Sequence, residues 1–172
     1  MKRRFEHLVD EHGGRLLQMA RLMLRSSAEA EDVVQDSLIK LWRHLPELEA
    51  GGELGWLITC TRNACLDQLR GRNRQRGFLQ LVAGDSKRGE QPDNPPEHQT
   101  ETAERARRLR STIAAMPEPA RSLLILRDIQ EIDVATVANT LSLTRNQVKV
   151  YTFRARRALR RRLEEEANEQ VA

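Results

Sequence analysis

Aromatic residues are scarce in this chain of 172 residues: two Trp, one Tyr and three Phe, 3% of the total. Apolar and polar residues rarely alternate, so the two main signals of β-strand are both missing and helix is the expectation. Cysteine is scarce too. Cys60 and Cys65 lie in one helical stretch at a spacing that puts them on different faces, and no second Cys/His pair completes a metal site. They read as small buried hydrophobes in a reducing compartment. His7, His12, His44 and His98 are scattered, and no nucleophile, metal or phosphate-loop constellation appears. Neither enzyme activity nor a cofactor or metal is expected. No run approaches the ~20 apolar residues of a membrane span, and no apolar core follows the basic start Met1-Lys2-Arg3-Arg4. The expected location is cytoplasmic, without membrane insertion.

Charge is abundant and unevenly placed. The net charge is +4, and most of the surplus falls between Arg145 and Arg162, directly before Glu164-Glu165-Glu166. A basic stripe on a helix is the electrostatic footprint of nucleic acid binding, although a solvated helix face can look the same.

Helical periodicity runs from Phe5 to about Arg72. A first stripe passes through Leu8, Leu16, Ala20 and Leu24, and Gly13-Gly14 should loosen this helix. Ser26-Ser27-Ala28-Glu29 has capping-box spacing and starts a second helix. Val34, Leu38, Leu41, Trp42 and Leu45 form its buried face, and Pro46 stops it. After the turn Glu49-Ala50-Gly51-Gly52, a third helix spans Leu54 to Arg72. Residues 74–100 then carry Gly77, Gly84, Gly89, Pro92, Pro95 and Pro96 among polar residues, the composition of a flexible linker.

Beyond the linker, helix resumes and breaks at Pro117. Leu123-Leu124-Ile125-Leu126 is apolar around much of its girth and should be buried. Asp133 can cap a short helix with Val134, Val137, Ala138 and Leu141. A tight turn follows, and Thr144-Arg145-Asn146-Gln147 is a further capping box. The last helix buries Val148, Thr152, Ala155, Leu159 and Leu163. Two helices joined by so short a turn, the second long and basic, form a helix-turn-helix. The fold class is therefore all-α, with two small helical domains at 1–73 and 101–163, a linker at 74–100 and a tail at 164–172.

In a helix-turn-helix the second helix enters the major groove. Arg145, Asn146, Lys149, Val150, Tyr151, Phe153, Arg154 and Arg157 face away from its buried stripe. Arg and Lys suit guanine or phosphate, Asn suits adenine, and an exposed Phe suits the thymine methyl. Tyr151 could equally pack on a neighbouring helix. In the N-terminal half, Asp32, Gln35, Asp36 and Lys40 line the outer side of the second helix. Asn63, Asp67 and Arg70 share a face of the third, with Arg62 beside them.

These residues resemble a known family. Ala30-Glu31-Asp32-Val33-Val34-Gln35-Asp36, Leu41-Trp42-Arg43, Gly55-Trp56-Leu57 and Arg62 to Arg70 resemble region 2 of extracytoplasmic function (ECF) sigma factors. Met116-Pro117-Glu118, Leu126-Arg127, Val137-Ala138, Val148-Lys149 and Arg154 to Arg160 resemble their region 4. The resemblance implies an alternative sigma factor that binds core RNA polymerase and directs it to promoters. Asp32, Gln35, Asp36 and Lys40 would meet the beta-prime clamp helices, and region 4 would rest on the beta flap. Glu49, Gly51, Gly52 and Glu53 would form the base-capturing turn of the −10 element, with Arg62, Asn63, Asp67 and Arg70 reading on the adjoining helix. Arg145 to Arg157 would read the −35 element. An anti-sigma factor is an implied further partner.

The chain departs from the family pattern in places. The turn before Gly55 is about one residue shorter than usual and has no basic residue. Val150-Tyr151-Thr152 stands where Ser-Arg-Leu is common, which removes one phosphate-contacting Arg. Two rivals remain from the residues themselves: a dimeric operator-binding regulator, and an anti-sigma or adaptor protein. The first leaves the polar faces around Asp36 and Asn63 without a purpose; the second does not need a basic recognition helix.

Overall fold

The computed structural model describes the backbone of residues 1–83 and 101–169 and the side chains of residues 1–74 and 101–168. Among these residues there is no strand. The elements are α1 (Lys2–Leu24), α2 (Ser27–His44), α3 (Glu53–Ala83), α4 (Glu101–Ala114), α5 (Ala120–Leu123), a π-helical turn (Leu124–Ile129) that continues α5, α6 (Val134–Leu141) and α7 (Arg145–Glu169).

Helices α1 to α3 form an N-terminal bundle around Leu16, Met19, Met23, Leu41, Leu57 and Ile58, all essentially solvent-free. Helix α1 is continuous through Gly13-Gly14, contrary to the loosening expected there. Leu8 and Leu16, buried on either side of the pair, hold the chain in register, and this packing outweighs the ~1 kcal/mol helix penalty of each glycine. Arg25 closes α1 in a left-handed conformation, at φ 62°. The Ser26 hydroxyl accepts from the Glu29 amide at 3.4 Å, as its capping role requires. The reciprocal half of the box is not made, because the Glu29 carboxylate pairs with Arg72 of α3.

Two boundaries differ from expectation. Helix α3 continues beyond Arg72 to Ala83, across Gly77 and the start of the stretch read as linker. Arg72 itself is pinned, with Nη1 donating to the Leu24 carbonyl at 3.1 Å. The remainder of that linker, 84–100, lies outside the described residues. Helix α7 likewise runs past 163, and Glu166 in the stretch read as tail accepts from the Thr112 hydroxyl on α4 at 2.9 Å.

The C-terminal unit packs α5, its π-helical continuation and α6 against α7, with Leu123, Leu124, Ile125, Leu126, Val137 and Val148 excluded from solvent. The apolar run 123–126 is buried as its all-round hydrophobicity requires. The π-helical bonding appears in the Gln130 amide, which donates to Ile125 at 2.9 Å. Asp133 caps α6 by accepting from the Ala135 and Thr136 amides, both at 2.9 Å. Ser142 turns the chain at φ 53°, and the box at the start of α7 is complete. There the Thr144 hydroxyl accepts from the Gln147 amide at 3.1 Å, and Gln147 Oε1 accepts from the Thr144 amide at 2.8 Å.

The two units touch. Helix α3 lies against α6, and α1 against α4 and the π-helical turn, so the buried apolar residues of both halves join in one cluster.

Candidate polymerase and nucleic-acid interfaces

On α2, burial of Ala30, Val33, Val34, Ser37 and Leu41 fixes the opposite side as the outer one. Asp32, Gln35, Asp36 and Lys40 are all exposed there. Ile39 sits among them and is 45% exposed, an apolar side chain with no packing reason to face solvent. Sequence reasoning missed it. The available signal was its place outside the Val34/Leu38/Leu41 stripe, seven residues after Asp32 and therefore two turns along the same face. Trp42, expected in the buried face, is 39% exposed and rests edge-on against Phe5, the ring centroids 5.1 Å apart.

The turn between α2 and α3 is built by side chains from distant sequence. Glu49, Gly51 and Gly52 are exposed, and Gly51 takes φ 91°, a conformation that favours glycine. Glu53 points inward instead. Its Oε1 accepts from Arg4 Nε at 3.1 Å and Nη2 at 2.5 Å, while Oε2 accepts from the Gly51 amide at 2.6 Å. The Arg4 guanidinium holds the Glu53 carboxyl below its ordinary pKa. Arg4 Nη2 also donates to the Leu48 carbonyl at 2.9 Å, so one guanidinium ties both ends of the turn to α1. Glu53 thus shapes the turn from within, whereas Glu49 and the two glycines form its surface.

On α3, Asn63, Asp67 and Arg70 are exposed and share one face, with Asp67 Oδ1 accepting from Arg70 at 2.8 Å. Arg62 is not with them in solvent. Its side chain is only 13% exposed, with Nε donating to the Ser122 hydroxyl at 2.8 Å and Nη2 to Glu118 Oε2 at 3.2 Å.

On α7, Val148, Thr152 and Ala155 are buried, and Arg145, Asn146, Lys149, Val150, Phe153, Arg154 and Arg157 are exposed. Phe153 is 61% exposed. Tyr151 is half-buried against the core, and the Arg154 guanidinium lies 5.9 Å from its ring centroid. The helix is braced from behind by Arg156, which donates to Asp128 Oδ2 at 2.9 Å through Nε. A braced helix with a cationic row and an apolar tip is suited to the major groove.

Of the two cysteines, Cys65 is buried and Cys60 half-buried, both as free thiols; burial pushes the Cys65 thiol up to about 12. Among the described residues no cluster of His, Cys, Asp or Glu could hold a metal ion, and no helix is long and apolar enough to cross a membrane.

Comparison with known proteins follows the same division. Residues 8–75 match the family Sigma-70 region 2, and residues 106–159 match Sigma-70, region 4. The chain is 26% identical over 165 residues to the ECF RNA polymerase sigma factor SigE of Mycolicibacterium smegmatis, covering 96% of this chain but 63% of that protein's length. With the ECF RNA polymerase sigma factor SigL of Mycobacterium tuberculosis it shares 28% identity, over 92% of this chain and 88% of the relative. In fold it is similar to CnrH, solved with the cytosolic domain of CnrY, at TM-score 0.71, 22% identity and coverage of 96% of this chain and 90% of that one. The sigma factor RpoE of Bartonella quintana, solved with the anti-sigma factor NepR, gives TM-score 0.70 at 22% identity, covering 93% and 96% of the two chains. Both sigma regions occur in order, together spanning well over half of the sequence, and the full-length likeness is to ECF proteins: the chain belongs to the ECF sigma factor family.

Proposed function

We propose that the chain binds core RNA polymerase through the outer face of α2 and directs promoter-specific initiation through α3 and α7. The observation that carries this reading is that one chain presents two chemically different exposed faces. Asp32, Gln35, Asp36 and Lys40 surround the apolar Ile39 on α2, while Arg145, Lys149, Phe153 and Arg154 line α7. The first has the build of a protein interface, an apolar anchor inside a polar rim. Its occupant in this reading is the beta-prime clamp helices, with the C-terminal unit resting on the beta flap.

Promoter opening without a nucleotide fuel requires binding energy to offset unstacking, which costs a few kcal/mol per flipped base. The turn at Glu49, Gly51 and Gly52, held rigid by Arg4 and Glu53, offers backbone donors and acceptors to a displaced −10 base. Asn63, Asp67 and Arg70 continue that surface, and Arg62 joins it once released from its partners. Arg145, Asn146, Lys149, Val150, Tyr151, Phe153, Arg154 and Arg157 read the −35 element. The role asks no bond-making of the chain and places it where polymerase and chromosome are, in the cytoplasm. The anti-sigma partner class is carried over from the Bartonella quintana complex.

The test is retention of genomic DNA fragments by core polymerase, by the chain, and by both. Sequence-selective retention only in the mixture supports the reading. Tight selective binding by the chain without polymerase would instead indicate a free-standing operator binder.

A further inference from the structure

We propose that α1 selects a base: the groove between His7, Glu11 and His12 of α1 and the α2–α3 turn takes a displaced −10 base that carries an amino group, in preference to thymine. This inference rests on the function proposed above and names the specificity of its base-capturing turn.

The groove has a volume of about 390 Å³, within the size range of small-ligand sites. Leu8 and Leu54 line it with apolar surface, and Gly51 brings the turn to it. The Arg4–Glu53 pair also borders it, with charges that already satisfy each other. His7, Glu11 and His12 complete it from α1. One carboxylate stands between two rings: Glu11 Oε2 is 3.3 Å from His7 Nε2 and 3.9 Å from His12 Nε2. The His12 side chain is only 12% exposed, whereas those of Glu11 and His7 are 53% and 75% exposed. One ring is therefore recessed, and the other stands open to solvent beside an accessible acid.

These residues meet needs of base capture that the turn cannot meet alone. An unpaired base is held chiefly by stacking on a flat side chain, and imidazole serves that purpose. Residues 49–53 supply no ring and no cation. Nearby Trp56 packs against the core and beside the His44 ring, 5.7 Å away. Selection among bases then needs hydrogen bonds to the Watson–Crick edge. The Gly51 amide is already taken by Glu53 at 2.6 Å. An ionised carboxylate only accepts, so Glu11 suits the amino groups of adenine, cytosine and guanine. Thymine offers a single N–H between two carbonyls, and those carbonyls meet the carboxylate unfavourably. Arg15 is exposed one turn beyond Glu11 on the same side of α1, where a cation suits the adjoining phosphate.

The test is transcription by the full chain with core polymerase on a promoter recovered from genomic fragments, its −10 non-template bases varied one at a time. At one position, thymine should support initiation at least about fivefold less well than the amino-bearing bases. Glu11→Ala should bring that ratio to within about twofold of unity, and Glu11→Lys, whose ammonium donates to carbonyls, should reverse it. Ratios at the other positions should not move. Glu11 is exposed, so Tm should stay within a degree or two of wild type. His7→Ala should lower initiation severalfold, and His7→Phe, which keeps a stacking ring, should restore most of it. A thymine ratio unmoved by both Glu11 substitutions, or moved equally at every position, overturns the proposal, as does His7→Phe no better than His7→Ala. Absence of any wild-type transcript across the whole set overturns the sigma reading itself, and this inference with it.

Discussion

Arg4 and Glu53, forty-nine positions apart, form a forked ion pair that fixes the α2–α3 turn against α1. The Glu53 side chain is 9% exposed and that of Arg4 38%, so the carboxylate has exchanged water for the guanidinium and the Gly51 amide. Removing the charge with Glu53→Gln should destabilise the fold by about 2 kcal/mol, the scale of lost charge-assisted hydrogen bonds to a buried group. The folded carboxyl is a stronger acid than the ordinary 4.5. Its contribution is therefore complete above that value and fades as pH falls through the lower folded pKa. Denaturant titrations of wild type and variant should differ most near neutrality and converge in acid.

The α2 face gives a second prediction. Asp36 is exposed, on the side of α2 away from the core, so reversing its charge disturbs no buried packing. Asp36→Lys should leave Tm within a degree or two and weaken core polymerase binding about tenfold, equivalent to ~1.4 kcal/mol. Ile39→Ser should weaken it to a similar degree through lost apolar burial. Co-elution with core polymerase measures both.

Arg154 stands on the exposed side of α7 and lies over Tyr151. Arg154→Ala should reduce binding to the −35 element while leaving the α2 interface intact. If its contact is a phosphate, the slope of log K against log salt should shrink by about 1; if a base, specificity at that position should relax at a cost of ~1–3 kcal/mol. Titrations across several salt concentrations distinguish the two.

The thiols give a check on packing alone. With its pKa raised to about 12 by burial, Cys65 holds almost no thiolate near neutral pH, and no reagent can reach it. Cys60 should be modified first in the native protein, and Cys65 only at the rate at which the N-terminal bundle opens. Peptide mapping after timed labelling reads the order.

Local chemistry was the most legible part of the sequence. The caps at Ser26, Asp133 and Thr144, the turn at Ser142 and the burial of Val148, Thr152 and Ala155 on α7 follow from residues within a few positions of each other, whereas Leu159 and Leu163, expected in the same stripe, are only half-buried. What escaped depended on distant partners. Glu53 looks like an exposed loop acid until Arg4 is brought to it from α1. Glu29 has the spacing of a capping box, yet Arg72 takes its carboxylate. Arg62 resembles its neighbours Asn63 and Asp67, but Glu118 and Ser122 approach it from the other half of the chain. Glycine-rich composition also misleads about length, since α3 continues past Gly77 and α1 past Gly13-Gly14. The Gly/Pro-rich stretch already separated two helical units, and the family resemblance supplied their assignment to two sigma regions, which no periodicity contains.

Run-off transcription with purified core polymerase on a library of genomic fragments decides whether the chain directs initiation. Transcripts with defined starts should require the chain, share two upstream sequence elements, and fall about tenfold with Asp36→Lys at limiting chain. Transcription indistinguishable from that of core polymerase alone on every fragment would contradict that role.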